Sequence, residues 1–278
     1  MAWGYYFSSF FTIFEKTNNM SIIAWWSGGV TSAVACRLAL ELYKDVRIIY
    51  IHIDSHHPDT LRFKDDCEKW YGQKIETWQN AKYKDQFEVA KKGYINGPTG
   101  APCTKKLKKD VRSLIEKELQ PDGQVWGFEF EKSQINRAIR FKQQYPNIAS
   151  YFPLIDSNLT KNECVGIIKG AGIEIPTMYK LGYSNNNCIG CVKGGAGYWN
   201  KIRKDFPEVF SKMASIEREV KATCLKNENG RVYLDELDPN AGTASDLVFG
   251  ECGIFCQVDF AHLMDKKVDK ILNGEMKL

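Results

Sequence analysis

The sequence predicts an α/β fold on a parallel sheet, and three observations carry the prediction. Short apolar, β-branched segments alternate with segments of helical spacing from residue 21 to residue 171. The stretches between the strand-like segments are long enough to hold a helix each, as the crossovers of a parallel sheet require. The clearest strand, VRIIYIHI at Val46–Ile53, is almost continuously apolar, as a strand covered on both faces should be.

Taken in order, Ile22–Trp26 is the first strand, and Thr31–Tyr43 carries helical spacing through Val34, Leu38 and Leu42. After the second strand, Asp59–Tyr71 reads as a helix, Ile75–Trp78 as a strand, and Tyr94–Pro102 as a loop punctuated by Gly and Pro. Thr104 is expected to cap a helix running to Leu119. Gln124–Glu129 is a strand, Ser133–Tyr145 a helix, Tyr151–Leu154 a strand, and Thr160–Ala171 a helix. Beyond Pro176 the texture changes to Gly- and Asn-rich turns, two cysteine pairs and a helix near Pro207–Thr223. This divides the chain into an N-terminal extension (1–19), an α/β domain (20–175) and a cysteine-rich C-terminal region packed on it (176–278).

The chain has 278 residues, 44% apolar and 26% charged, the balance of a soluble globular protein. Its 38 basic and 34 acidic residues leave a net charge of +4, too small to imply nucleic-acid binding by itself. No apolar run approaches the ~18 residues of a membrane span, so no membrane partner is expected. Phe7, Phe10, Phe11 and Phe14 share one helical face, without the basic region or cleavage site of a secretory signal. Nine cysteines without such a signal read as reduced thiols, metal ligands or catalytic groups of a cytoplasmic protein.

Ser27-Gly28-Gly29-Val30-Thr31-Ser32 joins the first strand to the first helix. Glycines let the backbone turn tightly, and the helix start offers unpaired N–H groups. With the hydroxyls of Ser27, Thr31 and Ser32 these donors make a cradle for a phosphate. The loop is neither a Gly-Lys-Ser/Thr P-loop nor a GxGxxG turn, and taken alone it reads equally well as a tight β–α turn. The second strand ends in Asp54-Ser55-His56-His57-Pro58-Asp59-Thr60, placing polar groups at the carboxyl edge where open α/β sheets bind ligands. The adjacent His56 and His57 are read as exposed loop histidines.

Cys188-Ile189-Gly190-Cys191 has the spacing that lets two thiolates share one ion or cluster. Cys252 and Cys256 form a second pair, and Cys103 stands on the Gly/Pro loop. Cys36, Cys67, Cys164 and Cys224 sit inside helical patterns and read as buried inert thiols. Five candidate ligands or nucleophiles remain, and both zinc and an iron–sulfur cluster take four thiolates. The basic run Lys105, Lys106, Lys108, Lys109 and Arg112 beside Cys103 is either a solvated helix face or a means of steering an anionic substrate.

These segments together resemble the phosphoadenosine phosphosulfate (PAPS) reductase family of the PP-loop, or N-type ATP pyrophosphatase, superfamily. Ser27–Ser32 is similar to its PP-loop, and Asp54 with Pro58-Asp59-Thr60 to its "D-T-G…P-E-T" segment. GFEFEKSQINR at 127–137 resembles "G-x-R-x-x-E-S-x-x-R", keeping Ser133 and Arg137. YFPLID at 151–156 matches a strand before the next helix, and MYKLGYSNNNCIGC at 178–191 resembles "L-Y-x-x-G-Y-x-x-x-G-C-x-x-C". Glu251-Cys252-Gly253-Ile254 is similar to the terminal "E-C-G-L-H". The departures are Val30-Thr31 in place of Lys-Asp, Pro102-Cys103 in place of Cys-Cys, and Phe255 and Cys256 followed by 22 residues.

The resemblance implies a Rossmann-like (adenine nucleotide alpha hydrolase-like) sheet. Ser27, Gly28, Gly29, Thr31 and Ser32 would hold an adenine nucleotide (ATP, adenylyl sulfate or PAPS), with Asp54 near the ribose or an ion. Arg137 and the lysine run would neutralise its anionic groups. Cys103, Cys188 and Cys191, with Cys256 (or Cys252) as the fourth thiolate, are the implied ligands of a [4Fe–4S] cluster; three-cysteine ligation with an open iron is the rival, and zinc is the alternative metal. Cys252 is the implied nucleophile, attacking the sulfur of adenylyl sulfate or PAPS to give S-sulfocysteine, from which an external thiol releases sulfite. A second reading is an ATP-dependent iron–sulfur sulfurtransferase that thiolates a nucleic acid with a sulfur-donor protein, and a third is a zinc-stapled nucleotide sensor. The choice of nucleotide and acceptor stays open, as does assembly into a homo-oligomer.

Overall fold

A computed structural model describes residues 17–96, 100–228, 230–243 and 267–277. β1 (Thr17–Trp26), α1 (Val30–Leu42), β2 (Tyr43–Ile51), α2 (Asp59–Tyr71), β3 (Ile75–Trp78) and α3 (Gln86–Ala90) come first. A π-helical stretch, Thr104–Lys109, runs directly into α4 (Asp110–Leu119). Then follow β4 (Gly123–Val125), α5 (Lys132–Gln144), β5 (Ser150–Tyr151), α6 (Pro153–Asp156), α7 (Lys161–Gly170) and α8 (Thr177–Lys180). The C-terminal region contributes α9 (Ala196–Asp205), α10 (Pro207–Val220), a hairpin of β6 (Leu225–Asn227) and β7 (Gly230–Val232), and α11 (Lys267–Leu272).

The first five strands form one sheet in the order β3-β2-β1-β4-β5, every pair parallel. Successive side chains of a strand point to opposite faces, and here both faces are covered. Ile22, Ala24 and Trp26, with Ile48 and Tyr50, pack against α1, α2 and α7 through Val34, Leu38, Phe63 and Ile168. Ile23, Trp25 and Ile49 pack on the opposite side against Val111 and Ile115 of α4. Each such fully buried side chain contributes about 1.5–3 kcal/mol. The expected α/β parallel sheet is therefore present, Rossmann-like in its doubly wound form. Its strand order reverses at β1, so the crevice lies beyond the carboxyl ends of β1 and β4.

Three elements differ from their sequence patterns. β4 ends at Val125 because Gly127 is pressed against the start of α1 and the chain leaves the sheet. In YFPLID only Tyr151 belongs to a strand, because Pro153 opens the short helix α6, where its missing N–H is no loss. Helical structure starts at Pro102, ahead of Thr104, which lies inside the π-helical stretch rather than capping it. The aromatic stripe Phe7–Phe14, and Cys252 and Cys256, lie outside the described residues. Among those described, no helix is long and apolar enough to cross a membrane.

Candidate functional site

Two loops meet at the carboxyl edge of the sheet. The first is the glycine loop. Gly28 adopts φ +85°, a conformation that side chains disfavour. Ser32 braces the loop: its hydroxyl accepts from the Ser27 N–H and Ser27 Oγ (both 3.0 Å) and donates to the Gly29 carbonyl (2.9 Å). Its bonding capacity is thereby filled inside the loop. The exposed Ser27 and half-buried Thr31 present the remaining hydroxyls, and Gly29, the residue before α1, has no side chain to cap its first turn. From the neighbouring strand end, Gly127 closes in so tightly that a Cβ there would lie 2.6 Å from Ser32 Cα.

Residues of the C-terminal region hold this loop from outside. The buried Tyr179 hydroxyl accepts from the Val30 N–H at 3.4 Å. Asn186 donates from Nδ2 to the Gly28 carbonyl (2.8 Å) and to Thr60 Oγ1 (3.1 Å). A carbonyl can only accept, so this contact fixes which end of the amide faces Gly28. Asn186 Oδ1 is buried without a donor among the described residues.

Two residues beyond Asn186 begins the second loop, Cys188–Cys191, whose backbone is bonded at nearly every position. The Ile189 N–H donates to the Ser55 carbonyl (2.8 Å). Gln86 Nε2 donates to the Ile189 and Gly190 carbonyls (2.8 and 3.3 Å). The Tyr198 hydroxyl donates to the Cys188 carbonyl (3.2 Å) and accepts from the Cys191 N–H (2.9 Å). Gly190 turns the loop at φ +74°.

The Cys103 thiol faces this loop. Burial pushes it up to about 11, and the neighbouring Cys191 and Cys188 add to the rise, while Lys193 and Lys108 oppose it. Burial also raises the Cys188 thiol, against Lys108 and a hydrogen bond from Ser55. The three thiols thus share one electrostatic neighbourhood, with Lys108 of the π-helical stretch beside it. Cys224 belongs to the same neighbourhood. It does not lie in a helix but follows the end of α10, where the buried carboxylate of Glu217, with Cys191 and Cys103, adds to the effect of burial on its thiol. Cys36, Cys67 and Cys164 are buried in α1, α2 and α7, as inert thiols should be.

Other sequence-based expectations stand apart from the two loops. Asp54 is exposed and accepts from Gln79 Nε2 (2.6 Å). Arg137 stacks on the Phe128 ring (4.3 Å) and donates to Gln134 (3.4 Å); none of its described contacts reaches the glycine loop. Asp59, from the Pro-Asp-Thr segment, is engaged by Arg62 (2.6 Å) and the Thr177 N–H (2.8 Å), which hold its carboxyl well below the usual range. Lys105 and Lys106 both pair with Asp110. His56 is not an exposed loop residue: it is buried, with its Nδ1 2.6 Å from the Tyr50 hydroxyl. The loop folds back over the end of β2, which a sequence pattern of polar residues does not reveal.

A doubly wound parallel sheet with a glycine loop at the switch of its strand order and a braced cysteine loop beside it defines an α/β protein that gathers a glycine-rich β–α turn and several thiols at one sheet edge. The sequence matches the phosphoadenosine phosphosulfate reductase domain family over residues 21–194, more than half of the chain, and the protein belongs to that family. An uncharacterized protein of Methanocaldococcus jannaschii is 24% identical over 226 residues, covering 74% of this chain and 43% of that protein. The chain thus spans less than half the length of that relative. Among solved structures, a PAPS reductase from Candida auris in complex with phosphate aligns with TM-score 0.42 and 17% identity, over 59% of this chain and 79% of that one. The U34-tRNA thiolase of Methanococcus maripaludis with its [4Fe–4S] cluster aligns with TM-score 0.44 and 12% identity, over 77% and 76%.

Proposed function

We propose that the protein is an enzyme that binds an adenine nucleotide over Ser27–Ser32 and reduces adenylyl sulfate or PAPS to sulfite in a thiol-dependent reaction. Beside the family membership, the observation that carries this reading is Asn186, which ties the Gly28 carbonyl to a segment only two residues from Cys188. A nucleotide phosphate and a sulfur-handling cysteine loop are thereby held on one framework.

In this reading the first-turn amides of α1 beyond Val30 and the Ser27 and Thr31 hydroxyls take the phosphate oxygens, Ser32 keeps the loop in shape, and Lys108 contributes positive charge. The Cys252 thiolate attacks the sulfonucleotide sulfur, the S–O bond to the nucleotide breaks, and S-sulfocysteine forms. An external thiol then attacks the Cys252 sulfur and releases sulfite. For the implied cluster, the soft thiols of Cys103, Cys188 and Cys191 are the right donor chemistry. Among the described residues, however, no group of three or more potential ligands stands in a metal-holding arrangement. Completing the site falls to Cys256 from outside those residues. When bound, such a cluster draws the buried thiols into thiolates.

Sulfite release from adenylyl sulfate and PAPS by anaerobically purified protein tests this reading. The expected result is sulfite with the wild type and none with Cys252→Ser. No sulfite from protein that retains iron and sulfide would overturn it. That result would favour ATP-dependent thiolation of a nucleic acid, for which Pro102 in place of a family cysteine is the supporting departure.

A further inference from the structure

Beside the two loops, the end of β2 carries a row of four polar side chains that the reading above leaves without a task. Asp54 Oδ1 lies 3.3 Å from His52 Nε2. His52 Nδ1 lies 3.2 Å from the Tyr50 hydroxyl, which lies 2.6 Å from His56 Nδ1. The row runs from solvent to interior: the Asp54 and His52 side chains are 52% and 26% exposed, while His56 and Tyr50 are 8% and 0% exposed.

The hydroxyl of Tyr50 carries one proton and faces two imidazole nitrogens, so it donates to one and accepts from the other. With His52 neutral, its Nε2–H belongs on the Asp54 carboxylate, because a lone pair there would face a negative charge. His52 Nδ1 then accepts from Tyr50, and His56 Nδ1–H donates to Tyr50, leaving a lone pair on His56 Nε2. With a second proton on His52, both its nitrogens donate, the Tyr50 hydroxyl turns to His56 Nδ1, and the His56 proton sits on Nε2.

We propose that His56, Tyr50, His52 and Asp54 form a proton relay, which takes a proton at His56 Nε2 and delivers the resulting charge to the His52–Asp54 pair. An acidic S–H or O–H of a reactant gives its proton to His56 Nε2 and leaves as its conjugate base. The His56 Nδ1 proton passes to the Tyr50 oxygen, and the Tyr50 proton passes to His52 Nδ1. The products are a neutral His56, a neutral Tyr50 and a His52 imidazolium paired with the Asp54 carboxylate. That the acid belongs to sulfonucleotide chemistry rests on the proposed function; the relay itself does not.

Burial accounts for why His56 needs the relay. It pushes His56 down to about 3, with Lys108 and His52 contributing, so a charged His56 is disfavoured near neutrality. Burial likewise raises the Tyr50 phenol, with Cys188 nearby, so a free phenolate is disfavoured as well. Concerted transfer leaves both groups neutral and puts the charge at the exposed end. The groups facing the row are Lys108 at His56, Cys188 at Tyr50, and Gln79 at Asp54, with Lys84 Nζ donating to Gln79 (3.2 Å).

Long-range proton–nitrogen NMR on histidine-labelled full-length protein reads this directly, because the chain has only four histidines. Assignment uses His57→Gln and His52→Gln. At alkaline pH the expected protonated nitrogens are Nδ1 of His56 and Nε2 of His52. On acidification His56 should stay neutral and move its proton to Nε2. Tyr50→Phe should abolish that response of His56. If Tyr50→Phe does not fold, His52→Gln serves instead and should hold His56 in one tautomer throughout. A His56 tautomer that does not change on acidification of the wild type, or a His56 that itself becomes imidazolium, overturns the relay. These spectra need no nucleotide, so they decide the relay even if no sulfite is formed.

Discussion

The glycine loop and the cysteine loop lie on one edge of the sheet and are both braced by neighbouring residues, yet they reach different end states. In the glycine loop the bracing group, Ser32, satisfies its hydroxyl within the loop, and Gly28 and Val30 find partners in Asn186 and Tyr179. The cysteine loop has its backbone pinned just as firmly, by Ser55, Gln86 and Tyr198, but its thiols are not paired with one another. Burial holds the Cys103 and Cys188 thiols in their protonated form. Backbone order and side-chain charge state are therefore separate properties of a site. In the proposed reading the first loop takes an anion and the second something that takes up thiolates.

The largest effect is expected where the glycine loop depends on a missing side chain. A Cβ on Gly127 would lie 2.6 Å from Ser32 Cα and 2.8 Å from its nitrogen, and backbone cannot yield as a side-chain tip can. Gly127→Ala should cost about 3 kcal/mol in urea unfolding, at the upper end of overpacking substitutions. In the cysteine region, Gly195 has nothing within 4 Å of such a Cβ, so Gly195→Ala should cost under about 1 kcal/mol, through the helix start alone. Equal costs would remove the distinction between a loop built by close approach and a loop pinned by hydrogen bonds.

The same contrast separates what could be read from the sequence. The sheet, the glycine loop and the Cys188–Cys191 turn were legible because each is a local pattern: β-branched runs, glycines between strand and helix, and two thiols at a fixed spacing. The contacts that join them were not, since Tyr179 and Asn186 reach the glycine loop across sequence separations of 149 and 158 residues. Gly127 was quoted within a motif, but its packing on Ser32 becomes visible only when β1 and β4 are placed side by side. His56 looked like a surface residue because its neighbours are polar, and Cys224 looked helical because it follows a helical pattern that ends at Val220. Long-range contacts decided both.

The next prediction sharpens the cysteine side. With its thiol pushed up to about 11, Cys103 carries far less thiolate at pH 8 than a free cysteine with a pKa of ~8.5. Its iodoacetamide labelling in apo protein should be roughly a hundredfold or more slower than in the urea-unfolded chain. The sign follows from the raised value: the native rate should keep climbing about tenfold per pH unit past pH 9, where the unfolded thiol levels off. Mass spectrometry of the Cys103 peptide reads both rates. A native rate that levels off with the unfolded one would show that limited access, not suppressed ionisation, protects the thiol.

The smallest effect asks whether the two loops are one cooperative unit. Tyr179→Phe removes a single hydroxyl, leaving the Val30 N–H without its acceptor, and should cost about 1 kcal/mol. Because the Ile189 N–H is held by Ser55 and the surrounding carbonyls by Gln86, the cysteine loop has supports of its own. Amide hydrogen exchange should therefore accelerate at Val30 and stay unchanged at Ile189. Faster exchange at both amides would mean that the clasp carries the cysteine loop as well, so that filling the proposed nucleotide cradle would tighten the thiols. Faster exchange at Val30 alone would make the shared framework a matter of position: it sets where the thiols stand, and leaves their charge to be settled by what binds them.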